Sequence, residues 1–316
     1  MALCPYNHKM GHKLRTDAGG VAVDRGFIAH FEIPEDDAPA ASSTGVAVIT
    51  LGAAAQDITA GITNPVVPRA LRVLSNKSNG AGNVVIAGTN IAGEPITETL
   101  ALNGTTIREG NKAFGGAVSI TVPARVNTPV AQVETATAAG TVTTAGRAKC
   151  TVTAAGMPGS PLHVPFDVEL TDGAEEIAAA LRAALAEVEV ITDRFDVSGE
   201  GAAVILTAKV AAANDATLNI ATGDGEGEGA SVGVTTAAAS ANTTDGVAPD
   251  AVSVGWNDKL GLPYKLARNT VLAAYLDNAR ETTAPTATVS ATAIELNTVD
   301  LHSALNGRAV VVDLIV

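Results

Sequence analysis

The chain is poor in aromatic residues, in charge and in cysteine. Phe, Trp and Tyr make up 3% of its 316 residues, so no core can rest on a few large ring anchors. The apolar 47% is mostly Ala, Val, Leu and Ile, which implies cores of many thin layers. Charged residues are only 17%, with 20 Lys and Arg against 33 Asp and Glu and a net charge of -13. Without a basic run, nothing displaces counterions from phosphates, and nucleic acid is excluded as a partner. The two cysteines, Cys4 and Cys150, stand far apart and set no disulfide framework. Cys150 falls in a strand-like run and is expected to be a buried thiol. No apolar run approaches the roughly 20 residues that span a bilayer, so no membrane partner is expected. The opening MALCPYNHKMGHKLR carries positive charge without the apolar segment of a secretory signal. The expectation is a protein that stays in the cytoplasm where it is made until it joins an assembly.

What is present is β-sheet. Between Ile62 and Pro123, short runs of Val, Ile, Leu and Thr are broken by Asn-Gly, Gly-Asn, Gly-Thr-Asn and Ala-Gly-Glu-Pro, the pattern of antiparallel hairpins. In 96–104, Ile96, Glu98, Leu100 and Leu102 share one face and Thr97, Thr99 and Ala101 the other. Residues 1–20 read as an arm and 21–135 as the first part of a β-sandwich or barrel-like domain. An Ala/Gly/Thr linker is expected at 136–144 and a second flexible stretch at 223–246. Between them, 145–222 reads as an inserted α+β module with one helix on a sheet. Residues 247–316 return to β character and are expected to complete the first domain. The helix has Asp172 as its expected N-cap, with Glu175 three residues on. Ile177, Leu181 and Leu185 fall at i, i+4 and i+8 on one side, widened by Ala178 and Ala184. Before it, Val164, Phe166, Val168 and Leu170 alternate as one strand face.

Four constellations invite a chemical reading. Cys4, His8 and His12 have C-x3-H-x3-H spacing, which on a helix presents thiolate and imidazole on one face. A structural zinc wants four ligands, and the next His30 lies 18 residues on; a polar docking arm is the better reading. Asp224, Glu226 and Glu228 offer oxygens for calcium but without an EF-hand spacing, so a solvated linker is favoured. His163, Asp167 and Glu169 share a strand face, a row that is usually the wet side of a half-buried strand. Trp256, the single tryptophan, and Tyr264 read as neighbouring packing anchors in the closing β region, as Phe166 and Leu181 do in the module. No Ser-His-Asp order, phosphate loop or Gly-x-Ser-x-Gly elbow is present. The expectation is therefore no enzyme and no cofactor.

The segments NPVVPRALRV, GNVVIAGTNIAGEPITETLALNGTT and GNKAFGGAVSITVP resemble a stretch recurrent in virion structural proteins of tailed bacteriophages. WNDKLGLPYKL, the closing strand after Leu305-Asn306-Gly307, and the module segments TVTAAGMPGSPLHVPFDV and LTAKVAAANDATLNIA are similar to parts of phage head and tail proteins. The resemblance implies a capsid decoration (cement) or minor head protein, made in the host cytoplasm and placed on the capsid surface of the virion. Its implied partners are the major capsid protein and further copies of itself, as a trimer. Lys9, Lys13 and Arg15 of the arm would then meet acidic shell residues. A tail or head-fibre component, or a module adhering to host-surface glycans, is the alternative.

Overall fold

The structure is a computed structural model that describes residues 28–225, 235–236 and 239–315. The chain forms two compact units, one built from residues up to Val126 and again from Asp250, the other from Asn127 to Pro249. The fold is mainly β, 47% strand against 7% helix. In chain order the elements of the first unit are β1 (Ile28–Ile33), β2 (Ser42–Thr50), β3 (Gln56–Ile58), β4 (Arg69–Ser75), β5 (Asn83–Thr89), β6 (Pro95–Ala101), β7 (Arg108–Phe114) and β8 (Gly116–Val122). The second unit supplies β9 (Val133–Ala139), β10 (Gly146–Thr153), β11 (Leu162–Val168), the helix α1 (Ala174–Ala186), the single turn α2 (Glu189–Thr192), β12 (Phe195–Ser198), β13 (Ala203–Ala208), β14 (Asn219–Asp224), β15 (Thr235–Thr236) and β16 (Ala241–Thr244). The first unit resumes with β17 (Ala251–Gly261), β18 (Val271–Leu276), β19 (Ala279–Arg280), β20 (Thr286–Thr288), β21 (Thr298–Asp300) and β22 (Val310–Ile315).

In the first unit, the eleven-residue β17 is the spine. It pairs with β4 on one side and with β2 and then β21 on the other. The strands from both ends of the chain thus share one sheet, ordered β20-β21-β17-β4-β7 with β2 beside β17. Val252 and Val254, from the first half of β17, pack with Leu71, Val73, Phe114, Ile86 and Ile120 against the second sheet, β3-β8-β5-β6. Leu260, from its second half, belongs to another core with Leu276, Val299, Val310, Val312 and Leu314, under the sheet β1-β22-β18-β19. Every one of these side chains is fully buried, and each buried Leu, Ile, Val or Phe contributes about 1.5–3 kcal/mol. The switch between cores falls between Trp256 and Leu260, where the pairing of β17 with β4 shifts register, and the pairing with β2 shifts just before it, at Gly255. A Cβ there would lie 1.8 Å from the Ser42 carbonyl oxygen, so only glycine allows β2 to close on β17 at that point.

The β5–β6 hairpin runs in register from Asn83↔Ala101 to Thr89↔Pro95. Its turn is held by Asn90, whose Oδ1 accepts the N–H groups of Ala92 at 2.9 Å and Glu94 at 3.0 Å. This is the local Asx bonding that makes asparagine a turn residue.

The second unit is a sandwich of β11-β10-β14 and β12-β13-β9-β15, with β16 also against β9. Helix α1 packs on β11, β9, β13 and β12. Ile177, Ala178, Leu181 and Leu185 form its buried face, meeting Cys150, Phe166, Val204, Leu206 and Ile220 in one core.

Several expectations are corrected here. Residues 136–144 are not simply a linker, since β9 runs through Ala139 and lies inside its sheet. Ala136 and Ala138 are buried while Thr137 is exposed, and side chains this small leave a strand looking like low complexity. The stretch 223–246 likewise contains β15 and β16, which pair with β9. The unit is therefore closed by its own ends, at Asn127 and Pro249 rather than at 145 and 222. Finally, the helix cap sits one residue later than expected. Gly173 is the N-cap, and its N–H donates to Glu176 Oε2 at 3.1 Å, while Asp172 Oδ2 accepts from Glu169 N–H. Leu170 has already left the strand and is exposed.

Candidate functional site

Among the described residues, the sheet β1-β22-β18-β19 ends at β1 on one side and at β19 on the other. β1 pairs with β22 from Ile28↔Ile315 to Ile33↔Val310, and among the described residues no strand pairs with its outer side. Ala29, Phe31 and Ile33 turn toward the core, which leaves Ile28, His30 and Glu32 outward. Ile28 is 41% exposed. At the other edge, β19 covers only Tyr275 and Leu276 of β18. The Glu281 N–H reaches the Ala274 carbonyl oxygen, and among the described residues no strand extends the pairing to Leu272, which is 48% exposed. Beside this rim runs a groove of about 580 Å³ lined by Asn269, Leu272, Arg280, Glu281, Thr282 and Pro285, among others. Val48, on the edge strand β2, is a third exposed apolar side chain. Uncovered strand edges with apolar side chains are templates for pairing with another chain.

The outer face of β1 carries a charge cluster. His30 Nδ1 lies 2.7 Å from Asp313 Oδ1 and Nε2 lies 2.6 Å from Glu32 Oε1. The hydrogen bond to Asp313, helped by Glu32, raises the imidazole above its ordinary pKa.

At the head of β4, a buried arginine ties down the chain between β1 and β2. Arg69 is fully buried. Its Nε donates to the Asn257 carbonyl at 2.8 Å, Nη1 to the Pro39 carbonyl at 2.6 Å and Nη2 to Asp258 Oδ1 at 3.0 Å. Its guanidinium carbon stands 5.9 Å from the centroid of the Trp256 ring, a cation–π distance. Trp256 Nε1–H donates to the Ala40 carbonyl, and Gly45 lies so close beneath the ring that a Cβ would come within 2.6 Å. Burial pushes the arginine down to about 10 against the pull of Asp258. Arg69 closes the Asn-Pro-x-x-Pro-Arg segment, but its structural role was not read from the sequence. The signal was an arginine directly after Pro68 at the head of a strand rich in Ala70, Leu71, Val73 and Leu74. A second inward group, Glu98, accepts the Asn111 N–H on Oε1 at 2.7 Å, while Oε2 is buried without a partner. Burial raises its pKa.

The residues singled out from the sequence are distributed as follows. Cys4, His8, Lys9, His12, Lys13 and Arg15 lie outside the described residues, as do Glu226 and Glu228; Asp224 ends β14. Phe166 and Leu181 are buried in the core of the second unit. Trp256 and Tyr264 are not neighbours in one cluster. Trp256 packs on the core of β2, β4 and β5, Tyr264 on that of β1, β18 and β22, because β17 changes core between them. His163 and Asp167 point to solvent from β11 and Glu169 lies past its end. His163 bonds Thr151 at 3.0 Å and Asp167 pairs with Arg147 at 3.4 Å, so the three do not converge. Among the described residues, no three His, Cys, Asp or Glu side chains group to hold a metal, and no helix is long and apolar enough to cross a membrane.

The second unit has a cleft of about 300 Å³ walled by Phe195, Val210 and Leu218 with Gln132, Arg194 and Asp215. Those polar groups are spent on tying loops. Gln132 Nε2 donates to the Asp215 carbonyl, Asp215 N–H to Gln132 Oε1, and Arg194 to the carbonyls of Ala155 and Gly156. Charge is also unevenly divided. Residues 127–249 carry 16 Asp and Glu against 5 Lys and Arg, a net -11, whereas residues 1–27 carry 4 Lys and Arg against 2 Asp, a net +2. No family model, no curated protein and no solved structure matches the chain.

Proposed function

We propose that the protein is a structural component of a tailed-phage virion that binds the outside of the capsid and stabilises the shell. Its partners in this reading are the major capsid protein and other copies of itself, in a trimer, and it works without catalysis or cofactor. It is made in the host cytoplasm and ends on the capsid surface. The observation that carries the reading is the outer rim of β1, uncovered among the described residues at the point where the chain arrives from its basic first 27 residues. An edge strand of this kind gains its missing backbone partners from a neighbour in a lattice, and the basic stretch that precedes it in sequence would be drawn to acidic shell residues. The strongly acidic second unit keeps such a particle from adhering to polyanions.

Quantitative gel densitometry of purified virions tests this. Hundreds of copies per particle, and reduced occupancy on purified heads after deletion of residues 1–20, are the expected results. Full occupancy without the arm overturns its role, and absence from particles overturns the function. The second reading, a tail or head-fibre part or a glycan-binding module, draws on the apolar cleft beside Phe195 and predicts a dozen copies or fewer.

A further inference from the structure

One carboxylate of the second unit is buried without a counter-charge. Glu134 stands on β9 in line with Ala136 and Ala138 and is 2% exposed. Its Oε1 accepts the Ser240 hydroxyl, and its Oε2 is buried with no hydrogen-bond partner. A carboxylate in that state bears a large desolvation cost until a water or a cation meets it.

Glu134 borders an open pocket of about 220 Å³ whose other polar walls are Asp215, Thr217, Asn219, Ser240 and Asn242. All of them bear oxygen, and none is a cation. Asn242, which lines the pocket, spends its Nδ2 protons on Asn214 Oδ1 and Asp245 Oδ1, at 2.8 Å each, and keeps its side-chain oxygen unspent. Asp215 is held in place by the Thr217 hydroxyl and by the N–H groups of Thr217 and Ala155. Ser240 is fixed by its N–H bond to Asn219 Oδ1 at 2.7 Å and by the Ile220 N–H on its Oγ at 3.0 Å. The walls are thus built before any ligand arrives.

An oxygen-only set with two carboxylates suits a hard divalent cation rather than zinc or copper, which favour imidazole and thiolate. Calcium tolerates irregular geometry and mixes carboxylates, amide carbonyls and waters, and the open side of the pocket admits the waters. The net -11 of residues 127–249 raises the local cation concentration. We propose that this pocket is a calcium site, with Glu134 and Asp215 supplying the charge and Asn242, Ser240 and water the neutral oxygens. None of its lining residues belongs to the Gly-Asp-Gly-Glu run that begins at Gly223.

Isothermal titration of chelator-treated full-length protein with calcium chloride tests the site, with magnesium and sodium chloride as controls. One calcium per chain is expected, with magnesium binding at least tenfold weaker. Glu134→Gln should weaken calcium binding at least tenfold, and Asn242→Ala, on the exposed side of the pocket, should weaken it severalfold without touching the core. Asp224→Asn should leave it unchanged. No calcium-dependent heat, or calcium binding in Glu134→Gln equal to that of the parent, overturns the proposal. So does a loss of binding in Asp224→Asn alone.

Discussion

Replacing Arg69 by methionine removes the three donors that hold the chain between β1 and β2 while keeping most of the side-chain volume. Two backbone carbonyls, of Pro39 and of the buried Asn257, lose their partner, and Asp258 loses its counter-charge. Each orphaned buried acceptor costs roughly 1–3 kcal/mol. The Asp258 side chain is 30% exposed and can turn to water, so its share is small. The sum is about 3–4 kcal/mol, within the range for breaking one side of a buried ion pair. For a unit of this size that is a fall in Tm of about 6–16 °C. Arg69→Lys keeps the charge but cannot reach all three acceptors from one ammonium, and it should fall between the two. Urea unfolding followed by tryptophan fluorescence is the appropriate assay. The single Trp256 stacks on this guanidinium and reports the first unit alone. If Arg69→Met unfolds within 0.5 kcal/mol of the parent (a bound set by ordinary surface substitutions), the arginine is a passenger and the reasoning fails.

Two further outcomes follow from single buried groups. Burial raises the Glu98 pKa, so the native state binds its proton more firmly than the unfolded chain. The stability linked to it is present below the unfolded carboxylate value and is lost as pH rises toward the raised one. Urea midpoints of the parent should therefore fall more steeply with pH above 4.5 than those of Glu98→Gln, and parallel curves would contradict this. Cys150 is fully buried, and its thiol is pushed up to about 12 by burial. In a Cys4→Ser background a disulfide reagent should label Cys150 only at the rate of unfolding, and fast labelling of the native protein would show the core to be open.

The sheet character of the chain was legible because its turns are written in residues with special backbone demands. Asn90 and Gly93 close the β5–β6 hairpin where Gly-Thr-Asn and Ala-Gly-Glu-Pro announce it. The helix stripe of Ile177, Leu181 and Leu185 was equally plain, since three large side chains at helical spacing admit few other readings. β9 was not legible. Its inward residues are Glu134, Ala136 and Ala138, so hydrophobic alternation is weak and composition alone imitates a linker. Trp256 and Tyr264 were read as neighbours because sequence proximity cannot reveal that one strand serves two cores. The pocket at Glu134 was invisible for a related reason. Its walls come from β9, from the turn at Asp215 and from Ser240, and β9 meets the other two through pairings across more than 80 residues.

The way the first unit meets its own interruption has a practical meaning. The Val126 N–H bonds Asp250 Oδ2 at 2.8 Å, and the Leu51 N–H bonds the Asp250 carbonyl, so the two cut ends of the host are already tied at one spot. The guest is clasped likewise by the bridge between Val130 and Val247. Host and guest each present a ready-made socket, which makes the guest an exchangeable cassette. Foreign sequences whose termini lie close together can be grafted at this junction and displayed without redesigning the scaffold that carries them.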